Sequence, residues 1–212
     1  MRETCCCLLI LSALALSACK RTLLDERFHD DRLVNWTVVD DPDTLEGRSA
    51  WRVEKDGWLV QKSNIWGRPG DFLGRWYGTF LVAGDEGWDD YTLSVRARPI
   101  DNDGFGVAFR LSDPEHFYRL VFIQDGMSGG PLTRLDKRNG ADYTELWSAR
   151  TGFKPGAEML IEVEVSGERI RASVDGRGLF EVRDSSYPRG KIGLFSYAQE
   201  GQAFDNVTVI ER

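Results

Sequence analysis

No cysteine follows Cys19 in the 212-residue sequence, and the other three, Cys5, Cys6 and Cys7, sit close to the start. A domain formed after residue 19 therefore has no intramolecular disulfide, no thiolate metal cluster and no thiol redox chemistry. Its stability must come from its core or from a bound ion. Histidine is nearly as scarce, with only His29 and His116, which leaves little for imidazole acid–base or metal chemistry. Positive charge is also outweighed: 27 Lys and Arg stand against 34 Asp and Glu, a net charge of −7. Nucleic acid and anionic headgroups need a basic patch, so neither is an expected partner. The apolar run from Leu8 to Leu16 is too short to span a bilayer, and no later stretch is long enough. Low-complexity segments and internal repeats are missing as well.

What is present begins with a leader. Arg2, the apolar run and the small residues after it have the layout of a secretory signal. The run Leu16-Ser17-Ala18-Cys19 resembles the lipobox of bacterial lipoproteins. That resemblance implies lipid on the Cys19 thiol, cleavage just before it, and an acylated amine. Two or three acyl chains hold far better than one. Lys20 stands where an Asp would resemble an inner-membrane retention signal, so the expected address is the bacterial cell envelope, at the outer membrane. The alternative is an ordinary signal cut after Ala18. The expected organisation is a signal over 1–18, a short tether over 19–27 and one domain over 28–212.

Within that domain the apolar period is two. Leu93, Val95 and Ala97 alternate with Ser94, Arg96 and Arg98; Val107, Phe109 and Leu111 alternate with Ala108 and Arg110. Ile161, Val163 and Val165 alternate with Glu162 and Glu164, and Ile170, Ala172 and Val174 with Arg169, Arg171 and Ser173. Half-buried antiparallel strands require this pattern. Turn signals separate the runs, among them Asn102-Asp103-Gly104, Asn139-Gly140 and Asp175-Gly176. Phe117 to Ile123 is apolar apart from Arg119 and Tyr118, which predicts a central strand covered on both faces. The fold class expected is all-β, an antiparallel β-sandwich or jelly roll.

The series Asn102-Asp103-Gly104-Phe105-Gly106-Val107, His116-Phe117-Tyr118-Arg119-Leu120, Gly190-Lys191-Ile192-Gly193-Leu194-Phe195 and Phe204-Asp205-Asn206-Val207 resembles the concanavalin A-like, laminin G-like jelly roll. Its pattern is most similar to the lectin-like C-terminal domain of thrombospondins, although the calcium-binding repeats that precede that domain are lacking. The resemblance implies the fold over nearly all of residues 28–212. It implies function only loosely, because lectins, adhesion modules, glycosidases and structural caps share this architecture.

Three groups of residues are candidates for chemistry. Asp101 and Asp103 lie on a turn that, by the same resemblance, is similar to a calcium site, and Ca²⁺ takes six to eight oxygens; the other reading is a plain hairpin turn. Asp85, Glu86, Asp89 and Asp90 could supply paired carboxylates to a glycosidase, or simply form a solvated loop. The Glu-x-Asp-x-x-Glu strand motif of glucanases with this fold is not found. Aromatics carry the strongest suggestion: of seven Trp, Trp51 and Trp58 read as core, whereas Trp66, Trp76, Tyr77 and Trp147 fall among Gly, Arg and polar residues. With Arg75 they form a candidate sugar-stacking surface, against the alternative that they pack under loops. The function expected is a lipid-anchored, non-catalytic module binding glycan or an envelope protein, with calcium as a stabilising ion. The alternative is a hydrolase of the keto-disaccharide type.

Overall fold

The computed structural model describes residues 20–30, 32–42, 44–67 and 74–212. Cys19 and the leader lie outside the described residues, as do Arg68 and Asp71 of the aromatic-rich stretch. In chain order the strands are β1 (Thr22–Glu26), β2 (Thr37–Asp40), β3 (Trp51–Val53), β4 (Leu59–Gln61), β5 (Thr79–Ala83), β6 (Tyr91–Arg98), β7 (Gly104–Asp113) and β8 (His116–Ile123). There follow β9 (Leu132–Asn139), β10 (Asp142–Ala149), β11 (Met159–Ser166), β12 (Arg169–Val174), β13 (Arg177–Arg183), β14 (Lys191–Tyr197) and β15 (Gln202–Glu211). No helix occurs among the described residues.

The strands form two antiparallel sheets. Sheet A runs β13-β12-β11-β6-β15-β4-β3, with β1 added to β15; sheet B runs β10-β9-β8-β7-β14-β5-β2. Neighbours in the sheets are mostly distant in sequence, as in β6 against β15 and β7 against β14, and the two sheets stack as a jelly-roll sandwich. The core between them takes alternate residues from each strand: Leu93, Val95, Ile161, Val163, Val207 and Val209 from sheet A meet Val107, Phe109, Leu120, Phe122, Ile192 and Leu194 from sheet B. Sheet A alternates over β6, β11 and β12, β6 being buried at every second residue, so that part of its outer face is wet. Sheet B does not. From Phe117 to Ile123 every residue of β8 is buried, because a second apolar cluster containing Phe80, Phe117, Val121 and Phe195 covers its outer face.

The expected alternation of Val107, Phe109 and Leu111 fails at its end. Arg110 has a left-handed φ of 47°, and the register slips between Phe109 and Asp113. This bulge moves Leu111 to the outer cluster and frees the Arg110 side chain to turn into the loops. There its guanidinium donates to the carbonyls of Asp89, Gly167 and Tyr187 and to the Asp90 carboxylate. The bulged arginine thus ties together three loops that no disulfide could join.

The expected tether over 19–27 is corrected by β1. Thr22–Glu26 is a strand paired with β15 from Ile210 to Val207, and Leu23 and Leu24 pack against the main core. Without it β15 would leave backbone donors and acceptors open along that edge. The ordered sandwich accordingly starts at Thr22. Deleting residues 20–26 is expected to cost about 3 kcal/mol, or roughly 10 °C in Tm; an unchanged Tm in calorimetry would show that β1 is dispensable.

Candidate functional site

The outer face of sheet B carries charge under cover. Arg119 of β8 and Asp136 of β9 stand opposite each other and are both fully buried, with Nη2 and Oδ2 3.0 Å apart. Arg134 brings its Nε within 2.6 Å of the other Asp136 oxygen. Arg138 pairs with Asp41 at 2.5 Å, again almost wholly buried. Ions removed from water need partners for their remaining donors, and the segment from Gly74 to Gly78 supplies them. Arg119 donates to the carbonyls of Arg75 (2.8 Å) and Trp76 (3.1 Å), Arg134 donates to that of Gly74, and the Gly78 amide donates to Asp41 at 3.0 Å. The segment lies so close to β14 that a Cβ on Gly78 would stand 2.2 Å from the Ser196 carbonyl oxygen. Only glycine fits there.

This attachment places Trp76. Its indole is 4% exposed, donates from Nε1 to the Ser128 carbonyl at 3.0 Å, and has the Arg134 guanidinium 4.1 Å from its ring centre. Beside it opens a cleft of about 690 Å³, whose wall includes Trp66, Trp76, Asn64, Arg134 and Tyr197. Trp66 is half-buried and is held by an isolated bridge to Leu45, whose amide donates to the Trp66 carbonyl. Met127, 86% exposed, stands in the loop between β8 and β9 that forms another wall. A smaller cleft of about 260 Å³ opens elsewhere on the same face, against Phe80, Val82, Leu111 and Phe117. The larger cleft combines rings with hydrogen-bonding groups, which is the combination that orients a small polar ligand.

The acidic turn forms part of the same cleft. Asp103 and Asp125 both line it. The amides of Gln124 and Asp125 donate to the Asn102 carbonyl, and Gln199 donates to the carbonyl of Asp101, so turn and loop are locked together. Burial, then the charges of Asp101 and Asp125, push the Asp103 carboxyl up to about 7. Among the described residues no group of three or more His, Cys, Asp or Glu is arranged to hold a metal ion.

Of the expected sugar-stacking residues, Trp66 and Trp76 share the cleft. Trp76 presents little ring, which leaves Trp66 as the more accessible indole of the two. Arg75 contributes its carbonyl to Arg119. Tyr77 packs edge-on to Tyr143 at 6.1 Å, with Arg138 above its ring. Trp147 is corrected outright: a bulge between Glu145 and Trp147 sets it opposite Leu135 and turns it inward onto Phe180 at 4.8 Å. Asn64, Asp125, Arg134 and Tyr197 complete the cleft and were not legible as candidates, although Asp125-Gly126 and Gly129-Gly130 mark their loop as a turn.

Catalytic arrangements are weak. Asp90 accepts from Gly167 and Ser166 as well as Arg110, and Asp85 accepts from Gly87, so the acidic loop is occupied in holding its own turns. Gly126-Met127-Ser128-Gly129-Gly130 has the spelling Gly-x-Ser-x-Gly, yet it lies in a loop between two strands instead of a strand-to-helix elbow. His116 faces Asp113 at 2.8 Å on an exposed turn.

Two outcomes follow for stability. Asp136→Ala leaves two arginines without their shared counter-ion and is expected to cost about 3–5 kcal/mol in denaturant unfolding; a loss below about 1 kcal/mol would contradict the pairing. Asp103 titrates near 3.8 when unfolded and near 7 when folded, so between these values the folded state holds the extra proton. Its contribution to stability therefore declines as pH rises from about 4 to about 7. Asp103→Asn should match the parent Tm at pH 4 and exceed it increasingly up to pH 7, a trend that differential scanning across pH would confirm or refute.

No family model matches the chain, and no curated protein does. Solved structures match its fold. The carbohydrate-binding module CBM66 from Bacillus subtilis aligns with TM-score 0.62 at 18% identity, covering 84% of this chain and 96% of that one. A protein of unknown function with a galectin-like fold, also from Bacillus subtilis, aligns with TM-score 0.64 at 12% identity, covering 92% and 100%. Domain 4 of the GH43 extracellular arabinanase AbnA from Geobacillus stearothermophilus, solved in complex with arabinotriose, aligns with TM-score 0.55 at 15% identity, covering 91% and 93%. The chain thus shares the β-sandwich fold of these proteins.

Proposed function

We propose that this protein is a non-catalytic glycan-binding module that seats a saccharide in the cleft between Trp66 and the loop carrying Asp125 to Gly129. The observation that carries the reading is the joining of one accessible indole with Asn64, Asp103, Asp125 and Arg134 around a single cleft of about 690 Å³. An aromatic face takes the C–H side of a sugar ring, while carboxylate, amide and guanidinium groups bond its hydroxyls. Support also comes from the fold neighbours, of which one is a carbohydrate-binding module and another was solved with arabinotriose. The acidic loop from Asp85 to Asp90, occupied by Arg110 and its own turns, gives the hydrolase alternative no carboxylate pair facing a cavity.

The likeness of the sequence to thrombospondin lectin-like domains agrees with a binding role. The lipobox resemblance at Cys19 adds an address: the module is lipid-anchored in a bacterial envelope, and β1, starting at Thr22, leaves only a few residues between lipid and sandwich. Calcium belongs to this reading only as an ion taken up at Asp101 and Asp103 when ligand or metal reorders the turn.

Trp66→Ala is expected to weaken glycan binding at least ten-fold, about 1.4 kcal/mol, with Tm nearly unchanged. Trp147→Ala should lower Tm and leave affinity alone. Glycan-array screening followed by calorimetric titration measures both. Equal affinity of the parent and Trp66→Ala for the glycan bound would remove this cleft as the site.

A further inference from the structure

The charge of the cleft narrows its ligand, on the basis that the cleft is the glycan site. Glu46, Asp103 and Asp125 all line it. None of the three has an ion-pair partner among the described residues; Asp125 accepts only the Ser128 amide through its Oδ2. Among the described residues the one cationic side chain in the wall is Arg134, and it is already committed. Its Nε lies 2.6 Å from Asp136, its Nη2 donates to Gly74, and its plane sits against the Trp76 ring. Asp136 is fully buried behind it. Among the described residues a ligand entering the cleft therefore meets the carboxylates of Glu46 and Asp125, joined by that of Asp103 above about pH 7, and an indole face. Acidic residues alone would not define a site, but here they line a built cavity with ring walls.

We infer that the cleft selects saccharides carrying a protonated amine, a deacetylated hexosamine above all. An ammonium on the sugar ring would be attracted by the carboxylates and by the negative face of Trp66, and its three N–H donors match the carboxylate oxygens of the wall. A uronic acid or sialic acid in the same place meets repulsion from the same carboxylates. A neutral or N-acetylated sugar retains the stacking and hydroxyl contacts and loses the charge attraction.

The test compares an oligosaccharide of glucosamine with its fully N-acetylated counterpart of equal length, titrated calorimetrically into the full chain. The amine form is expected to bind at least ten-fold tighter at about 50 mM salt, with the advantage shrinking toward about 500 mM as screening shortens the reach of the charges. The double variant Glu46→Gln with Asp125→Asn, both on loops away from the core, should bring the two affinities within about two-fold while keeping the parent Tm. Equal or tighter binding of the N-acetylated form by the parent overturns the amine selectivity and leaves the glycan reading standing. Binding of neither, with no other glycan bound, overturns the glycan reading and this inference together.

Discussion

A guanidinium on the outer face of a sheet cannot be left dry and alone, and much of this molecule is arranged around that constraint at Arg119. Asp136 across the strand pair answers its charge, and the carbonyls of Arg75 and Trp76 accept from its two Nη atoms. Those carbonyls belong to a segment that Arg119 helps to hold on the sheet, together with Arg134, Asp41 and the buried Trp76 ring. Once it lies there, Phe80, Phe117 and Phe195 are covered, β8 is buried on both faces, and Trp76 becomes a wall of the cleft. Breaking such an ion pair costs far more than the pair contributes over an apolar replacement. The cluster is thus better understood as a device that fixes where one loop goes than as a source of stability.

Arg110 does related work in another part of the sandwich. Its left-handed backbone is strained for a residue with a Cβ, and the strain is offset by a side chain that reaches carbonyls from three loops. A domain without disulfides has few ways to join distant loops. Long, multidentate arginines buried among carbonyls are one of them, and this chain uses them both between its loops and over sheet B.

Much of the architecture could be read from residue order. The alternation in β6, β11 and β12 gave strands buried at every second residue, and Phe117 to Ile123 declared itself as a doubly covered strand. The reading failed where a single extra residue changed the count. Leu111 was assigned a face by counting in twos and Trp147 a role by its polar neighbours, and each lies beyond a bulge. β1 was hidden because Leu23 and Leu24 alone make too short an apolar signal. The cleft was half legible: Trp66 and Trp76 stood out by type, whereas Arg134 and Asp125 meet them only through pairings between strands far apart in sequence.

The bulge in β10 has a bearing on how such a surface changes over generations. Two residues there stand against one on β9, and that surplus alone sends the Trp147 indole to the interior. Were the same residues to pair without the bulge, Trp147 would fall opposite Arg134, on the side of sheet B that holds Tyr143 and Arg138, with no change of residue type. The outer surface of such a scaffold can then change by gain and loss of codons in edge strands, a route that a comparison of substitutions at aligned positions would overlook.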